Sequence, residues 1–225
     1  MRFLFAFLIA TASVGRADAV EDTMAQRMQA CVPCHGQDGR ATSAGYFPRI
    51  AGKPAGYLAN QLRNFREGRR RYPAMNHLVQ HFSDEYVREI AGYFASLDLP
   101  SPVPRPSVLP TAEAEAAETL VRRGAPERGV PSCVSCHGEA MAGRLPSIPG
   151  LTTLPADYVI GQLGAWRTGQ RRAAAPDCMA DIARRLTPEE IGLVGRWLSA
   201  RTSPPGTRAE PAGPPLPIAC GSSGP

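Results

Sequence analysis

One pentapeptide occurs twice in the chain, as Cys31-Val32-Pro33-Cys34-His35 and as Cys133-Val134-Ser135-Cys136-His137, and a glycine follows each copy. Two thiols at this spacing, with histidine next, form the attachment site of c-type haem. The thiols add across the two vinyl groups of one haem, and the histidine is then held beneath the iron as an axial ligand. A redox-active Cys-x-x-Cys needs no such histidine, and a zinc site needs two further ligands close by. Two copies imply two haem c groups, so most of a 225-residue chain has to be organised around them.

The rest of the sequence repeats with the motif, which marks an internal duplication. Cys31 and Cys133 stand 102 residues apart, while Met75 and Met179, like Ser83 and Thr187, stand 104 apart. Between these anchors Pro48-Arg49-Ile50-Ala51-Gly52 aligns with Pro146-Ser147-Ile148-Pro149-Gly150. Tyr57 then matches Tyr158, Gln61-Leu62 matches Gln162-Leu163, Phe65-Arg66 matches Trp166-Arg167, and Gly68 matches Gly169.

Each half reads as helices joined by glycine- and proline-rich loops, and no segment alternates well enough to predict a strand. In the first half a short helix over 20–30 leads into the motif. Pro54 opens a second helix, with Leu58, Leu62 and Phe65 on one face, and Gly68 stops it. Ser83 caps a third, with Val87, Ile90, Ala91, Phe94 and Leu97 inward. In the second half helices open at Thr111 and Pro155, and Thr187-Pro188-Glu189-Glu190 reads as a capping box with proline at the first helical position. Prolines 100, 102, 104, 106 and 110 predict a stiff, extended linker between the halves. The expected organisation is an export segment over 1–19, a first domain over 20–98, a linker over 99–110, a second domain over 111–201 and a Pro-rich C-terminal strap over 202–225.

The export segment is read from Met1-Arg2, an apolar run from Phe3 to Val14, and a small-x-small site at Ala17-Asp18-Ala19. That run is shorter than the roughly 18–20 residues that span a bilayer. The expectation is an exported, periplasmic protein, with peripheral membrane association left open. A formal charge of +5 would otherwise hint at nucleic acid. The propionates of two haems, about four negative charges, offset it, so no nucleic-acid partner is expected. The basic residues are arginines except for one lysine, Lys53, a skew that reads as codon bias.

With paired Cys-x-x-Cys-His motifs, a Pro-x-Ile-x-Gly after each and a methionine before each terminal helix, the chain resembles the dihaem class I cytochromes c, most closely the cytochrome c4 type. The resemblance covers about residues 20–201 and implies an all-α fold of two tandem domains, each wrapped around one covalently attached haem, and a role in electron transfer. It makes His35 and His137 the proximal ligands and Cys31, Cys34, Cys133 and Cys136 the attachment points. A distal ligand has to lie well downstream to reach the far side of the haem. Met75 is the one methionine after His35 in its half, 40 residues on. After His137, Met141 is too close and Met179 lies 42 residues on. His77 and His81 follow closely after Met75 and leave a bis-histidine first haem open. Pro48 and Pro146 match the family proline whose carbonyl accepts the proximal ring N–H, a bond that fixes ring orientation. Arg69-Arg70-Arg71 and Arg171-Arg172 could pair with propionates, meet a partner or lie solvated on the surface. Cys178 and Cys220 could form a disulfide pinning the strap beside Met179, or leave a free Cys178 near the iron.

Two closed His/Met sites leave outer-sphere electron transfer, with no small-molecule substrate and no catalytic residue. The expected partners are redox proteins: a membrane respiratory complex and a terminal oxidase, or, as the alternative, a periplasmic dehydrogenase of which this chain is the cytochrome subunit. A dihaem peroxidase would need one exchangeable site, and a methionine in both halves argues against it.

Overall fold

A computed structural model describes residues 21–43, 46–100, 109–152, 154–201, 204 and 206–224. The export segment and residues 101–108 of the expected linker lie outside them.

Thr23 caps a short helix α1 (Met24–Arg27), its Oγ1 accepting the amide of Gln26, and a 3₁₀ turn over Met28–Cys31 follows. The segment before the motif is thus helical later and wound tighter than the sequence suggests. One turn, α2 (Val32–His35), carries the first motif and ends at Gly36, whose φ of +73° turns the chain back. A β-carbon there would strike the carbonyl of Ala41. Helices α3 (Ala55–Arg66), α4 (Pro73–Val79) and α5 (Asp84–Ser96) complete the first half. The Ser83 hydroxyl accepts the Tyr86 amide at the start of α5, and Asp84 and Glu85 complement the helix dipole there. Helices α3 and α5 pack together through Leu58, Ala59, Val87, Ile90 and Phe94, with Met28 joining them.

The second half repeats this plan with α6 (Thr111–Arg123), α7 (Val134–His137), α8 (Ala156–Thr168), α9 (Cys178–Arg185) and α10 (Pro188–Ser199). Helix α10 packs on α6 and α8 through Val121, Leu163, Ile191, Val194, Trp197 and Leu198. The expected capping box forms: Thr187 Oγ1 accepts the Glu190 amide and the Glu190 carboxylate accepts the Thr187 amide. One expectation is corrected. Two strands exist, β1 (Gly143–Arg144) and β2 (Ile148–Pro149), antiparallel with Gly143 opposite Pro149. Two residues are too few to show alternation in a sequence.

The halves meet through their arginines. Arg70 and Arg171 are 9% and 4% exposed, so neither is solvated surface charge. Arg70 donates to Gln61 Oε1 (3.0 Å) and across to Gln162 Oε1 (2.7 Å). Arg171 donates to Gln162 Oε1 (2.8 Å) and across to Gln61 Oε1 (2.9 Å). Each guanidinium stacks on the aromatic of its own repeat, Arg70 on Phe65 and Arg171 on Trp166. Backbone bonds from Arg71 to Gln170 and from Arg172 to Arg69 run alongside. Helix α3 also starts against the second half: the Gly56 amide bonds to the Pro146 carbonyl, and a β-carbon on Gly56 would lie 2.6 Å from Ser147 Oγ.

The strap exists. Glu210 bonds through its backbone to Gly143 and Leu145, and the Arg144 guanidinium holds the Pro214 carbonyl. Cys178 and Cys220 are disulfide-bonded. The strap also reaches the first half, where Asn60 donates to the carbonyl of Ser222 and Asp98 accepts from Arg208.

Candidate functional site

A cavity of about 860 Å³ runs through both halves. Cys31, Cys34 and His35 line it, as do Cys133, Cys136 and His137. None of these four cysteines is taken up in a disulfide, which leaves each sulfur available to add to a vinyl group. Burial raises the pKa of Cys133 to about 12 and that of Cys31 in the same direction.

The short helices α2 and α7 end on the two histidines. A proton on His35 Nδ1 donates to the Pro48 carbonyl at 3.0 Å, and one on His137 Nδ1 donates to the Pro149 carbonyl at 2.8 Å. Nε2 is then the nitrogen left for iron. Burial lowers both histidine pKa values, which favours the neutral form that ligates metal. Pro48 is the proline expected. Pro146 is not: its carbonyl takes the Gly56 amide, and Pro149 takes its place beside His137. The sequence carries the correct register. Tyr57 to Tyr158 is an offset of 101, and carrying that offset back from Tyr57 lands Pro48 on Pro149. One residue, not four, has been lost between the motif and this proline.

Met75 and Met179 both line the cavity, each within the first turn of a short helix, α4 or α9. The two helices are fastened differently. Beside Met75, the Asn76 side chain donates to the carbonyls of Phe65 and Arg70 and accepts the Tyr72 amide. Before Met179, Asp177 accepts the amides of Ala173 and Ala180, and Cys178 is tied to Cys220. Leu216 and Ile218 of the strap line the cavity at this end. Met141 is buried in the core, away from the cavity lining. His77 lines the cavity edge, exposed and bonded to Gln80, while His81 is exposed and does not line it. Among the described residues no group of three or more His, Cys, Asp or Glu gathers as a separate metal site.

The lining suits a large apolar group with acidic substituents. Leu58, Leu62, Ile90, Leu163 and Leu198 form apolar walls. The ionisable rim is cationic, with Arg27, Arg49, Lys53, Arg70, Arg71 and Arg171 against one acid, Asp177. Among the described residues neither Arg70 nor Arg171 forms an ion pair with a carboxylate. Trp166 lines the cavity and its buried indole N–H has no acceptor, as expected where the acceptor belongs to a bound group. Trp197 carries a second unpaired indole N–H outside the lining, and nothing in the structure explains it.

A predominantly helical chain that twice offers one cavity a pair of cysteines outside any disulfide and an oriented imidazole is built as a dihaem c-type cytochrome. No family model matches the chain. A thiosulfate dehydrogenase electron acceptor of Stutzerimonas stutzeri is 38% identical over 174 residues, which cover 76% of this chain and 78% of that protein. Cytochrome c4 of Pseudomonas aeruginosa is 30% identical over 201 residues, covering 88% and 97%. Among solved structures, reduced cytochrome c4 from Pseudomonas stutzeri is similar with a TM-score of 0.67 and 28% identity, over 78% of this chain and 95% of that one. Thiosulfate dehydrogenase TsdBA of Marichromatium purpuratum is similar with a TM-score of 0.68 and 32% identity, over 76% of this chain and 36% of that longer one. The chain belongs to the cytochrome c4-like family of dihaem class I cytochromes c. It carries two c-type haems and transfers electrons, and is not itself an enzyme.

Proposed function

We propose that the two haems are attached through Cys31 and Cys34 and through Cys133 and Cys136, and are closed axially by His35 with Met75 and by His137 with Met179. The observation that carries this is that each half brings the histidine of its Cys-x-x-Cys-His motif and a methionine some 40 residues downstream, Met75 or Met179, to the lining of a single apolar cavity with cationic side chains. Bound in this way, each haem supplies a one-electron ferric/ferrous couple. The chain's own residues do the rest. The Pro48 and Pro149 carbonyls orient the imidazoles, the thioethers favour the ferrous state, and the apolar walls keep water out. The domains are taken as 20–98 and 111–201, with the export signal ahead of them directing the protein to the periplasm. Among the described residues no helix is long and apolar enough to cross a membrane.

The donor is proposed to be a periplasmic sulfur-compound dehydrogenase of the thiosulfate-oxidising type, because relatives at 35% and 38% identity are named as its electron acceptor. The acceptor is a terminal oxidase or another respiratory protein. Rapid mixing tests the donor: the oxidised cytochrome is combined with such a dehydrogenase and thiosulfate while its α-band is followed. Reduction within the turnover time, with none by thiosulfate alone, is expected. Reduction by a quinol-oxidising complex but not by the dehydrogenase would favour a general respiratory carrier.

A further inference from the structure

Lys53 is the single lysine of the chain, and the duplication breaks at its position. With the offset of 101 its counterpart is Leu154, a buried apolar residue in the core of the second half. Lys53 belongs to the first half by sequence, yet its Nζ donates to the carbonyl of Gly150 in the second half at 2.7 Å. Gly150 follows Pro149, whose carbonyl holds His137. The lysine therefore reaches across the interface to the proximal side of the second site.

Its position is fixed from both sides in sequence. Gly52 turns the chain with a φ of +72°, Pro54 sets the start of α3, and Gly56 is bonded to Pro146 across the interface. An ammonium has three N–H donors, and one backbone carbonyl satisfies one of them. No carboxylate among the described residues pairs with it. The neighbouring charge is Arg49, a cation already bonded to the carbonyls of Ala51, Leu99 and Pro100. Burial first, and Arg49 second, lower the Lys53 pKa to about 8, which describes a cation without its anion. The one acid on the cavity wall, Asp177, is occupied by two backbone amides. The anion that the site lacks is the kind a haem brings with it.

We propose that Lys53, carried by the first half, is the counter-ion of a propionate on the haem attached to the second half, and raises the reduction potential of that haem. The proposal rests on the haem reading of Cys133, Cys136 and His137. Ferric haem carries one more positive charge than ferrous haem, so a fixed cation nearby favours the ferrous state. The duplication alone would give two similar couples, and Lys53 separates them.

The test is a redox titration of the full dihaem protein as wild type, Lys53→Met and Lys53→Arg, with haem content measured first. The couple that falls in a Met179→His variant marks the second haem. The expected result for Lys53→Met is an unchanged first couple and a second couple lowered by about tenfold in its equilibrium constant, about 59 mV for one electron. Lys53→Arg retains the charge and stays near wild type. Where Lys53→Met does not keep both haems, Lys53→Gln, which keeps a donor without the charge, replaces it. An unmoved second couple, an equal shift of both couples, or a Lys53→Arg variant behaving like Lys53→Met would each overturn the proposal. Fewer than two haems in the wild type would instead overturn the haem reading itself.

Discussion

Each proximal histidine has one ring nitrogen committed to a backbone carbonyl and the other turned to the cavity, so the opposite face decides whether an iron there is closed. Met75 and Met179, which line the cavity, are the thioethers proposed to close it. Met179→Ala is expected to make one of the two reduced haems bind carbon monoxide while the wild type binds none, read in the visible spectrum. Met75→Ala is expected to open the other. Carbon monoxide binding by the unmodified reduced protein would sink the assignment. At this scale the motif residues were legible because their spacing is set by haem chemistry. Pro149 was missed because Pro146 begins a segment that imitates the Pro-x-Ile-x-Gly of the first half. Lys53 reads as composition in the sequence, one lysine among arginines, because its partner Gly150 lies 97 residues away.

Helix α10 shows how a local signal becomes stability. Its capping box satisfies amides that the first helical turn leaves unpaired, and the Arg128 guanidinium grips the same Glu190 carboxylate at 2.6 Å. Thr187→Ala is expected to cost about 1 kcal/mol in denaturant unfolding. The bond to Arg128 holds the Glu190 pKa below its ordinary 4.5. The stabilisation is therefore complete above pH 4.5 and is lost as the pH falls through the lowered folded value. Glu190→Gln should lower stability near neutrality, where the pair is fully formed, and flatten the profile in the acid window so that the two proteins converge at low pH. An unaltered acid limb would show that the ion pair contributes nothing. The long helices were readable because each has a cap and an apolar face. Helices α4 and α9, seven and eight residues long, were not, since two turns carry too little periodicity and tertiary bonds from Asn76 and Asp177 fix them.

In the whole molecule the repeat makes a paired structure, because Arg70, Arg171, Gln61 and Gln162 form one crossed network from two copies of a single pattern. Those residues were visible as a repeat, and their meeting was not, since a duplicated sequence does not state how its copies face each other. Each glutamine oxygen accepts from both guanidiniums, so Gln61→Ala strands donors in a buried place. A loss of about 1–3 kcal/mol is expected, measured by denaturation of the dihaem protein. A loss indistinguishable from that of an exposed Gln→Ala change would mean that water replaces the bond.

The strap carries a consequence for biogenesis. A chain emerging in sequence order has the walls around His35 in hand early. Leu216, Ile218 and Cys220, with Ser222 and Ser223 after them, belong to the last-synthesised stretch of the cavity lining. The expected order of assembly at the second site is therefore haem first and the Cys178–Cys220 bond second, so a Cys220→Ser variant should still acquire both haems.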